Sequence, residues 1–436
     1  LNMEVLQRTA NRGSISTGFD INNSVKLEDD NTEYLQRPAS GSDGSRRTMT
    51  ISMWLKRTEI DDDQIFISQG SNIRFRFKPN YFHIRLTNGS STYEIEDENR
   101  FFRDTSAWYH LVVAIDTTQS TASNRVKIYW NGVQQTSFTA ANYPSQNDDL
   151  TLGNFSATTM QLGYFVEGGY GFNGYFAEVH YVDGTQVAQT EFGEFDDDSG
   201  IWKPKEYTGG HGSEGFHLKF EDSSNLGLDS SGNSNNFNLT NITAADQSTD
   251  TPTNNFCTLN PLWTWTQTMG VSDGATKVNN TVTAWGGAKG SIGVNSGKWY
   301  WEHGSFSGND TMFGIQNQAG GGNAQAYLDA YTLAIQANAN VIQFTDPSNR
   351  TEAFSKTFSI SDIWGVALDL DNNTIAFYRN GSIVNSAFSI DGLIGNGEFF
   401  PFVTHYGSGL NSIVNFGGYT GITISSAASD ENGYGT

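Results

Sequence analysis

Three glutamates alternate along one short stretch of the chain: Glu94, Glu96 and Glu98. Alternate residues of a β-strand point to the same face, so these carboxylates would lie side by side. Two carboxyl groups about 5–5.5 Å apart can serve as the nucleophile and the acid/base of a retaining glycoside hydrolase. Here, however, the middle residue is a glutamate where such strands carry the shorter aspartate, and the run stops at Asn99-Arg100 with no bulky aromatic platform beside it. We therefore interpret the run as a solvated strand face and predict no catalytic residue and no enzyme.

The histidines and the single cysteine suggest no reactive centre. Cys257 cannot form a disulfide within the chain, because it has no partner cysteine. No HExxH motif occurs, and no GxSxG elbow precedes a helix. His110, His180 and His217 lie in strand patterns, and His211 lies in a glycine-rich turn. The sequence thus predicts neither a nucleophilic triad nor a transition-metal site, and we expect that no cofactor is required.

One polar loop offers hard oxygen ligands at alternate positions, on Asp229, Ser231, Asn233 and Asn235. Such oxygens are the ligands that Ca²⁺ prefers. The loop glycine stands at the fourth position rather than the sixth, and Thr240 stands where a bidentate glutamate would be expected. A calcium site and an Asx-type turn closed by its own side chains both remain open.

Several aromatic residues fall in glycine-rich loops rather than in strand patterns. Rigid aromatic rings beside Asn, Gly and Ser suit stacking on sugars or contact with a protein. We predict that these residues bind a ligand: Tyr164, Tyr170, Phe172, Trp285 and Tyr406.

Charge excludes further classes of function. The chain has 47 acidic and 25 basic residues, a net charge of -22. Nucleic-acid binding requires clustered cations, and basic pairs such as Arg46-Arg47 are isolated here. No apolar run reaches the roughly 18 residues of a membrane span. We therefore expect no nucleic acid among the partners and no membrane span.

The elements that would position these residues are short strands. The segment 48–57, TMTISMWLKR, alternates with period two, and 108–116 is the continuous apolar run of a strand buried on both faces. Asn131-Gly132 and Asn380-Gly381 are strong hairpin turn signals. Glycine at 47 residues and aromatics at 13% agree with many strands joined by tight turns. These patterns predict an all-β protein.

Composition divides the chain. After a lead-in over 1–14 we predict a β-sandwich over 15–190, a short β-rich connector over 191–262, and a second antiparallel sandwich over 263–436. Within the connector, Phe216, Leu218 and Phe220 alternate and need a surface to pack against. The polar segment 425–436 offers no closing strand, so we expect the second sandwich to be incomplete at its C-terminal end.

Two resemblances follow from motifs in order along the chain. FDINNSVKLEDDNTEYLQR, TISMWLKR, WYHLVVAIDTTQSTASNRVKIYWNGVQ and FNGYFAEVHYVDG resemble the laminin-G/concanavalin-like jelly rolls of tail and fibre proteins of marine bacteriophages, as does the stretch from FGEFDDDSGIWKPKEYTGGHGSEGFHLKF to DTPTNNFCTLNPL. GKWYWE, WGVALDLDNNTIAFYRNG, FFPFV and VNFGG resemble the SPRY/B30.2 domain. The first resemblance implies a jelly roll, the second another sandwich, and both imply interaction modules.

Most of the function that we expect rests on the resemblance to bacteriophage proteins. We expect a structural and adhesion protein on the surface of a bacteriophage virion, made in the host cytoplasm, as a tail fibre or other appendage that contacts host glycans. Its partners would be other virion proteins and a host glycan or receptor. An uncovered sheet edge and the symmetry of fibres suggest a homo-oligomer, most simply a trimer. The alternatives are a jelly-roll glycan-degrading enzyme and a purely architectural virion or filament protein.

Overall fold

A computed structural model describes residues 18–60, 63–79, 81–264, 269–308, 310–320, 331–337, 341–345, 351–353, 358–384, 387–395 and 397–417. The chain divides into two compact units, Leu1–Asn255 and Phe256–Thr436. The predicted lead-in over 1–14 and the C-terminal segment 425–436 lie outside the described residues. This division falls inside the connector predicted over 191–262. Residues 191–255 belong to the first unit, and residues 256–262 belong to the second.

The first unit is built from antiparallel strands. In chain order they are β1 (Ser24–Leu27), β2 (Tyr34–Arg37), β3 (Thr48–Arg57), β4 (Gln64–Gln69), β5 (Ile73–Lys78), β6 (Tyr81–Thr87), β7 (Thr92–Asp97), β8 (Tyr109–Asp116), β9 (Val126–Trp130), β10 (Val133–Gln135), β11 (Ala140–Ala141), β12 (Met160–Leu162), β13 (Tyr164–Phe165), β14 (Tyr170–Gly171), β15 (Gly174–Asp183), β16 (Gly193–Phe195), β17 (Trp202–Pro204), β18 (Phe216–Leu218), β19 (Asn238–Thr240) and β20 (Gln247–Ser248).

These strands form two large sheets around one core. The first sheet has the order β10-β9-β8-β3-β15-β1-β20, with β18 beside β15, and the second has the order β11-β7-β6-β5-β4-β12-β2-β19. Period-two alternation decides which side chains enter the core. Phe75 and Phe77 of β5 are buried, while Arg74 and Arg76, which alternate with them, point outward. A single hydrophobic cluster contains side chains of both sheets.

The segment 191–255 belongs structurally to the first unit. Its strands β18, β19 and β20 pair with β15, β2 and β1. Phe216, Leu218 and Phe220 join the main hydrophobic core, so the prediction that they need a packing surface is confirmed. Trp202 packs with Trp54 and other buried aromatic residues on the outward side of the first sheet. That side is therefore covered by the chain's own later residues.

The second unit is also antiparallel. Its strands are β21 (Leu259–Thr264), β22 (Met269–Ser272), β23 (Lys277–Asn280), β24 (Trp285–Gly290), β25 (Lys298–Gly304), β26 (Thr311–Asn317), β27 (Thr332–Gln336), β28 (Val341–Thr345), β29 (Thr351–Ala353), β30 (Trp364–Asp369), β31 (Thr374–Arg379), β32 (Ser382–Ile383), β33 (Phe388–Ser389), β34 (Phe399–Tyr406) and β35 (Asn411–Asn415).

Two sheets again enclose a core. One has the order β21-β24-β34-β26-β27-β28-β29, and the other has the order β22-β23-β35-β25-β30-β31-β32, with β33 beside β31. Ile315 and Leu333 of the former cluster with Trp301, Trp364 and Val366 of the latter. The core thus lies between the two sheets, as in a sandwich.

The predicted hairpin turns and fold class are confirmed. Asn131 and Gly132 have φ values of 45° and 77°, and Asn380 and Gly381 have 49° and 76°. Two consecutive positive φ angles characterise the type I′ turn that joins tightly paired strands. Helical structure in the described residues consists of the 3₁₀ turns Ala122–Asn124, Gln189–Glu191, Ala244–Asp246 and Asp391–Leu393. None of the described helical segments has the length and apolar character needed to cross a membrane.

Candidate functional site

A row of polar side chains crosses the outward side of the second sheet of the first unit, which we term the polar face. Strand register aligns residues of β2, β12, β4, β5, β6 and β7 in this row: Gln36, Gln161, Ser68, Arg74, Arg85 and Glu94. At about 4.8 Å between neighbouring strands, six residues extend over roughly 24 Å. The row therefore has the length of several sugar rings.

A second row of charges runs beside the first. Arg76 pairs in register with His83, and His83 with Glu96. Arg76 Nε donates to His83 Nδ1 over 3.0 Å, and Lys78 Nζ lies 2.8 Å from Glu96 Oε1. Cationic side chains of β5 and β6 thus lie beside the carboxylates of β7.

A small hairpin, β13–β14, packs over the middle of the polar face. The ring of Tyr164 stacks on Tyr34 at 5.5 Å between centroids, and its carbonyl oxygen lies 2.8 Å from Ser68 Oγ. The ring of Phe165 lies beneath the guanidinium of Arg74 at 4.1 Å. The hairpin therefore forms a wall with aromatic rings beside the charged part of the face.

The arginines of this face lie close together and are partly enclosed. The Nε atoms of Arg74 and Arg85 are buried without a hydrogen-bond partner in the described structure, and Arg85 Nε lies 3.9 Å from Glu94 Oε1. Burial, together with the neighbouring Arg85 and Arg76, lowers the pKa of Arg74 below its usual value. Three guanidinium groups crowded together favour an anionic or hydroxyl-rich ligand that accepts hydrogen bonds.

His83 is held neutral on the same face. Burial, assisted by Lys78, Arg76, Arg85 and Arg74, lowers the pKa of His83 to about 3. Its Nε2 lies 3.3 Å from Glu96 Oε1 and 3.8 Å from Glu94 Oε1, so the three residues could share a metal ion. The adjacent Lys78 and arginines oppose a cation there, because like charges repel.

The predicted alternation of Glu94 and Glu96 on one strand face is confirmed, since Tyr93 and Ile95, which alternate with them along β7, are buried. Glu98 falls after the last residue of β7. Its backbone N–H donates to Thr139 Oγ1 over 3.0 Å. The strand therefore presents two aligned carboxylates rather than three.

The loop aromatics predicted to bind a ligand fall into three situations. Tyr164 and Tyr170 lie in the hairpin on the polar face, and Tyr170 is 43% exposed. The prediction for Phe172 is wrong. This residue lies two positions before β15 begins, and its ring is fully buried in the core, where it stacks on Phe176 at 4.8 Å between ring centroids. A core ring is not accessible to a ligand.

In the second unit, strand register places Trp285 of β24 opposite Tyr406 of β34. Their ring centroids are 5.5 Å apart, and Tyr406 is 43% exposed. The two residues, more than a hundred positions apart in the sequence, thus form one surface aromatic pair.

The loop predicted as a calcium site makes internal hydrogen bonds. Asp229 accepts from the backbone N–H groups of Ser231 and Asn235, over 2.9 and 2.8 Å. The side-chain amides of Asn233 and Asn235 donate to the backbone carbonyl oxygen of Gly215, over 3.0 and 2.8 Å. The described contacts are those of an Asx-type turn that also fastens the chain before β18. Calcium binding at this loop stays a prediction.

Sequence reasoning missed most of the polar face. Gln36, Gln161 and Ser68 come from distant strands, and their alignment depends on register between β2, β12 and β4. A local signal was present only in IRFRFK, where Arg74 and Arg76 alternate with phenylalanines.

Two known protein families match this chain, one within each unit. Residues 29–190 match a laminin G model described as the concanavalin A-like lectin/glucanases superfamily, and residues 298–419 match the SPRY domain. A concanavalin A-like domain and a SPRY domain are therefore present in this chain. A search of curated proteins gave no match.

Solved structures similar to this chain include two SPRY domains. The SPRY domain of human HERC1 has 18% identity and a TM-score of 0.31, covering 38% of this chain and 99% of that one. The PSpry domain of TRIM65 has 14% identity and a TM-score of 0.30, covering 36% of this chain and 91% of that one.

Proposed function

We propose that the protein is a surface-adhesion protein whose first unit binds glycans through the polar face. The observation that carries this proposal is the cross-strand row of amide, guanidinium and carboxylate groups beside the stacked pair Tyr34 and Tyr164. Such groups hydrogen-bond sugar hydroxyls, and aromatic rings stack on sugar faces. The match to a superfamily that contains lectins supports binding of this kind.

The ligand that suits this face best carries acidic groups. Arg74, Arg76 and Arg85 lie together on neighbouring strands, in a chain whose net charge is -22. A carboxylate or sulfate accepts paired hydrogen bonds from a guanidinium. The local cations would attract such a group at short range, where the overall negative charge is screened by salt.

We propose that this face binds without cleaving. Glu96 is ion-paired with Lys78 over 2.8 Å, and Glu94 lies 3.9 Å from Arg85 Nε. Both aligned carboxylates thus take part in charge pairs across the sheet, which suits a fixed binding surface. Because the superfamily name covers glucanases as well as lectins, glycan cleavage is the second candidate.

We further propose that the protein acts on the surface of a bacteriophage virion, as a tail fibre or similar appendage and as a homo-oligomer such as a trimer. The support is the ordered set of motifs in the first part of the chain, together with a SPRY domain suited to contacts with other virion proteins. Native mass measurement of the full chain tests the oligomer, and a stable monomer at micromolar concentration would contradict it.

A glycan array combined with a reducing-sugar assay separates the candidates. We expect binding of acidic envelope polysaccharides without release of reducing ends, and loss of that binding in the double variant Arg74→Gln, Arg85→Gln. The matched control is Arg47→Gln, which removes an exposed arginine paired with Asp149 outside the polar face. Release of reducing ends that ceases in Glu94→Gln would favour the enzyme, and neither binding nor release would favour a purely architectural role.

A further inference from the structure

A second group of polar residues in the first unit is buried and has no part in the polar face. It consists of Glu178 and His180 on β15, His217 on β18 and His211 in the connection before β18, which we term the histidine cluster. His180 and His217 are direct neighbours in the register of the two strands. The side chains are at most 10% exposed.

The donor atoms of the histidine cluster converge. His180 Nδ1 lies 3.1 Å from His211 Nε2, and Glu178 Oε2 lies 2.7 Å from His217 Nε2 and 3.4 Å from His180 Nε2. One ring nitrogen from each of the three histidines lies within 4.8 Å of the others. A tetrahedral zinc ion with bonds of about 2.0–2.1 Å has ligand atoms about 3.3 Å apart, so small side-chain rotations suffice.

An irregularity in β15 aims Glu178 and His180 to the same side. Register with β3 shifts between Ala177 and His180, and Glu178 has a φ of 46°, in the left-handed region. Before this bulge Phe176 points into the core, and after it Val179 and Tyr181 do. The extra residue therefore turns His180 away from the core and toward His217. Bulges and left-handed non-glycine residues are enriched at functional sites.

The charge of Glu178 distinguishes it from other buried carboxylates of this unit. Asp250 pairs with Lys56, Asp246 with Lys26, and Glu214 with Arg37. Glu178 pairs with imidazoles instead. Metal-binding imidazoles commonly donate their other ring N–H to a carboxylate, which is the role that Glu178 would have here.

The surroundings hold the cluster in place. Asp229 Oδ1 accepts from the backbone N–H of His217 over 2.9 Å, and Asn233 Nδ2 donates to the carbonyl oxygen of Gly212, next to His211, over 2.6 Å. The ring of Tyr207 packs against His180 and His211 at 5.8 and 5.1 Å. Supporting contacts of this kind preorganise metal ligands.

We propose that the histidine cluster binds one divalent transition-metal ion, such as Zn²⁺, through His180, His211 and His217, with Glu178 beside the ligands His180 and His217. Three imidazoles match the ligand preference of zinc and lack the hard-oxygen set that calcium requires. Because these histidines come from β15, β18 and the connection before β18, the ion would fasten that connection onto β15.

The test uses the full chain, stripped of metal with a chelator, dialysed, and titrated with Zn²⁺ and Co²⁺. We expect one ion per chain, visible d–d absorption of tetrahedral Co²⁺, and a Tm that rises with Zn²⁺. His211→Ala removes a ligand outside any strand and should abolish all three signals. His303→Ala, a buried histidine on β25 of the second unit, is the control and should keep them.

A second variant distinguishes loss of metal binding from misfolding of the chain. Glu178→Gln keeps the shape of the side chain, so we expect an unchanged near-ultraviolet circular dichroism spectrum with weakened Zn²⁺ binding. The proposal is overturned if the folded full chain retains no zinc after titration and dialysis. Equal binding by the parent chain, His211→Ala and His303→Ala would also overturn it. Glycan binding is not a readout here, so the two proposals fail independently.

Discussion

Lys56 on β3 and Asp250 near the end of the first unit form a buried ion pair, with 2.7 Å between Nζ and Oδ2. The other oxygen of the same carboxylate accepts a hydrogen bond from Trp108 Nε1 over 2.9 Å. Both charged side chains are almost completely enclosed. The pair therefore joins the middle of the first sheet to a segment nearly two hundred residues later.

Replacing Asp250 with alanine should strongly destabilise the first unit. The variant leaves the Lys56 ammonium buried without its carboxylate, a change that typically costs about 3–5 kcal/mol. Denaturant unfolding of the full chain, followed by tryptophan fluorescence, measures the difference. Asp149→Ala, which breaks the exposed pair with Arg47, is the control and should change little. A similar small effect in both variants would contradict the prediction.

Acid should weaken the fold through His110. Burial, with a smaller contribution from His180, lowers the pKa of His110 to about 3. Its Nδ1 accepts from Trp202 Nε1 over 2.9 Å, a bond that requires the neutral ring. The unfolded chain takes up the proton near pH 6.5, so the contribution of His110 to stability is full above that pH.

As pH falls from about 6.5 toward 3, this contribution is lost at up to about 1.4 kcal/mol per pH unit. His110→Gln should therefore show a shallower fall in the free energy of unfolding between pH 6.5 and 4.5 than the parent chain. Chemical denaturation at several pH values makes the comparison. Parallel curves for the two proteins would show that His110 does not titrate on unfolding.

Arg85→Gln should reduce binding to acidic glycans more than to neutral ones. Arg85 lies in register between Arg74 and Glu94 on the polar face, where its guanidinium supplies positive charge. A lost charge-assisted hydrogen bond costs about 1.5–3 kcal/mol, which corresponds to a tenfold or greater loss of affinity. Calorimetry at low and high salt gives the comparison, and an equal loss for acidic and neutral ligands would refute a charge-based preference.

Gly132→Ala should destabilise the first unit more than Gly184→Ala. Both glycines have positive φ, at 77° and 82°, so alanine at either position is strained by about 1–2 kcal/mol. A Cβ at 132 would also come within 2.2 Å of the Trp202 ring, whereas a Cβ at 184 meets open space. Thermal or urea unfolding of the pair isolates the contact. Equal losses would mean that the Trp202 ring moves aside freely.

Local patterns in the sequence predicted the strands well. β3 runs over the predicted residues 48–57, and the two Asn-Gly turns lie where hairpins were expected. Strand alternation and tight turns depend on a few neighbouring residues, which explains this success, although residues 49–57 of β3 are buried on both faces rather than on one. Phe172 shows the limit, because exposure depends on what packs over a residue, and nothing local in its glycine-rich surroundings reports that.

The histidine cluster was hidden for a related reason. The sequence places His180 and His217 in strand patterns and predicts no transition-metal site, yet β15 and β18 pair directly. The spacing of residues in the sequence does not predict which strands pair when a long connection separates them. The bulge at Glu178 adds a second difficulty, since one extra residue reverses the face of every following side chain.

The buried ion pairs of the first unit have a consequence for how such domains are inherited. Asp246, Asp250 and Glu214 neutralise Lys26, Lys56 and Arg37, yet all three acids lie after residue 190, where the family match ends. A recombination event that exchanged only residues 29–190 would place two unneutralised cations, Arg37 and Lys56, inside the recipient. The module that can pass intact from one gene to another therefore extends to about residue 255.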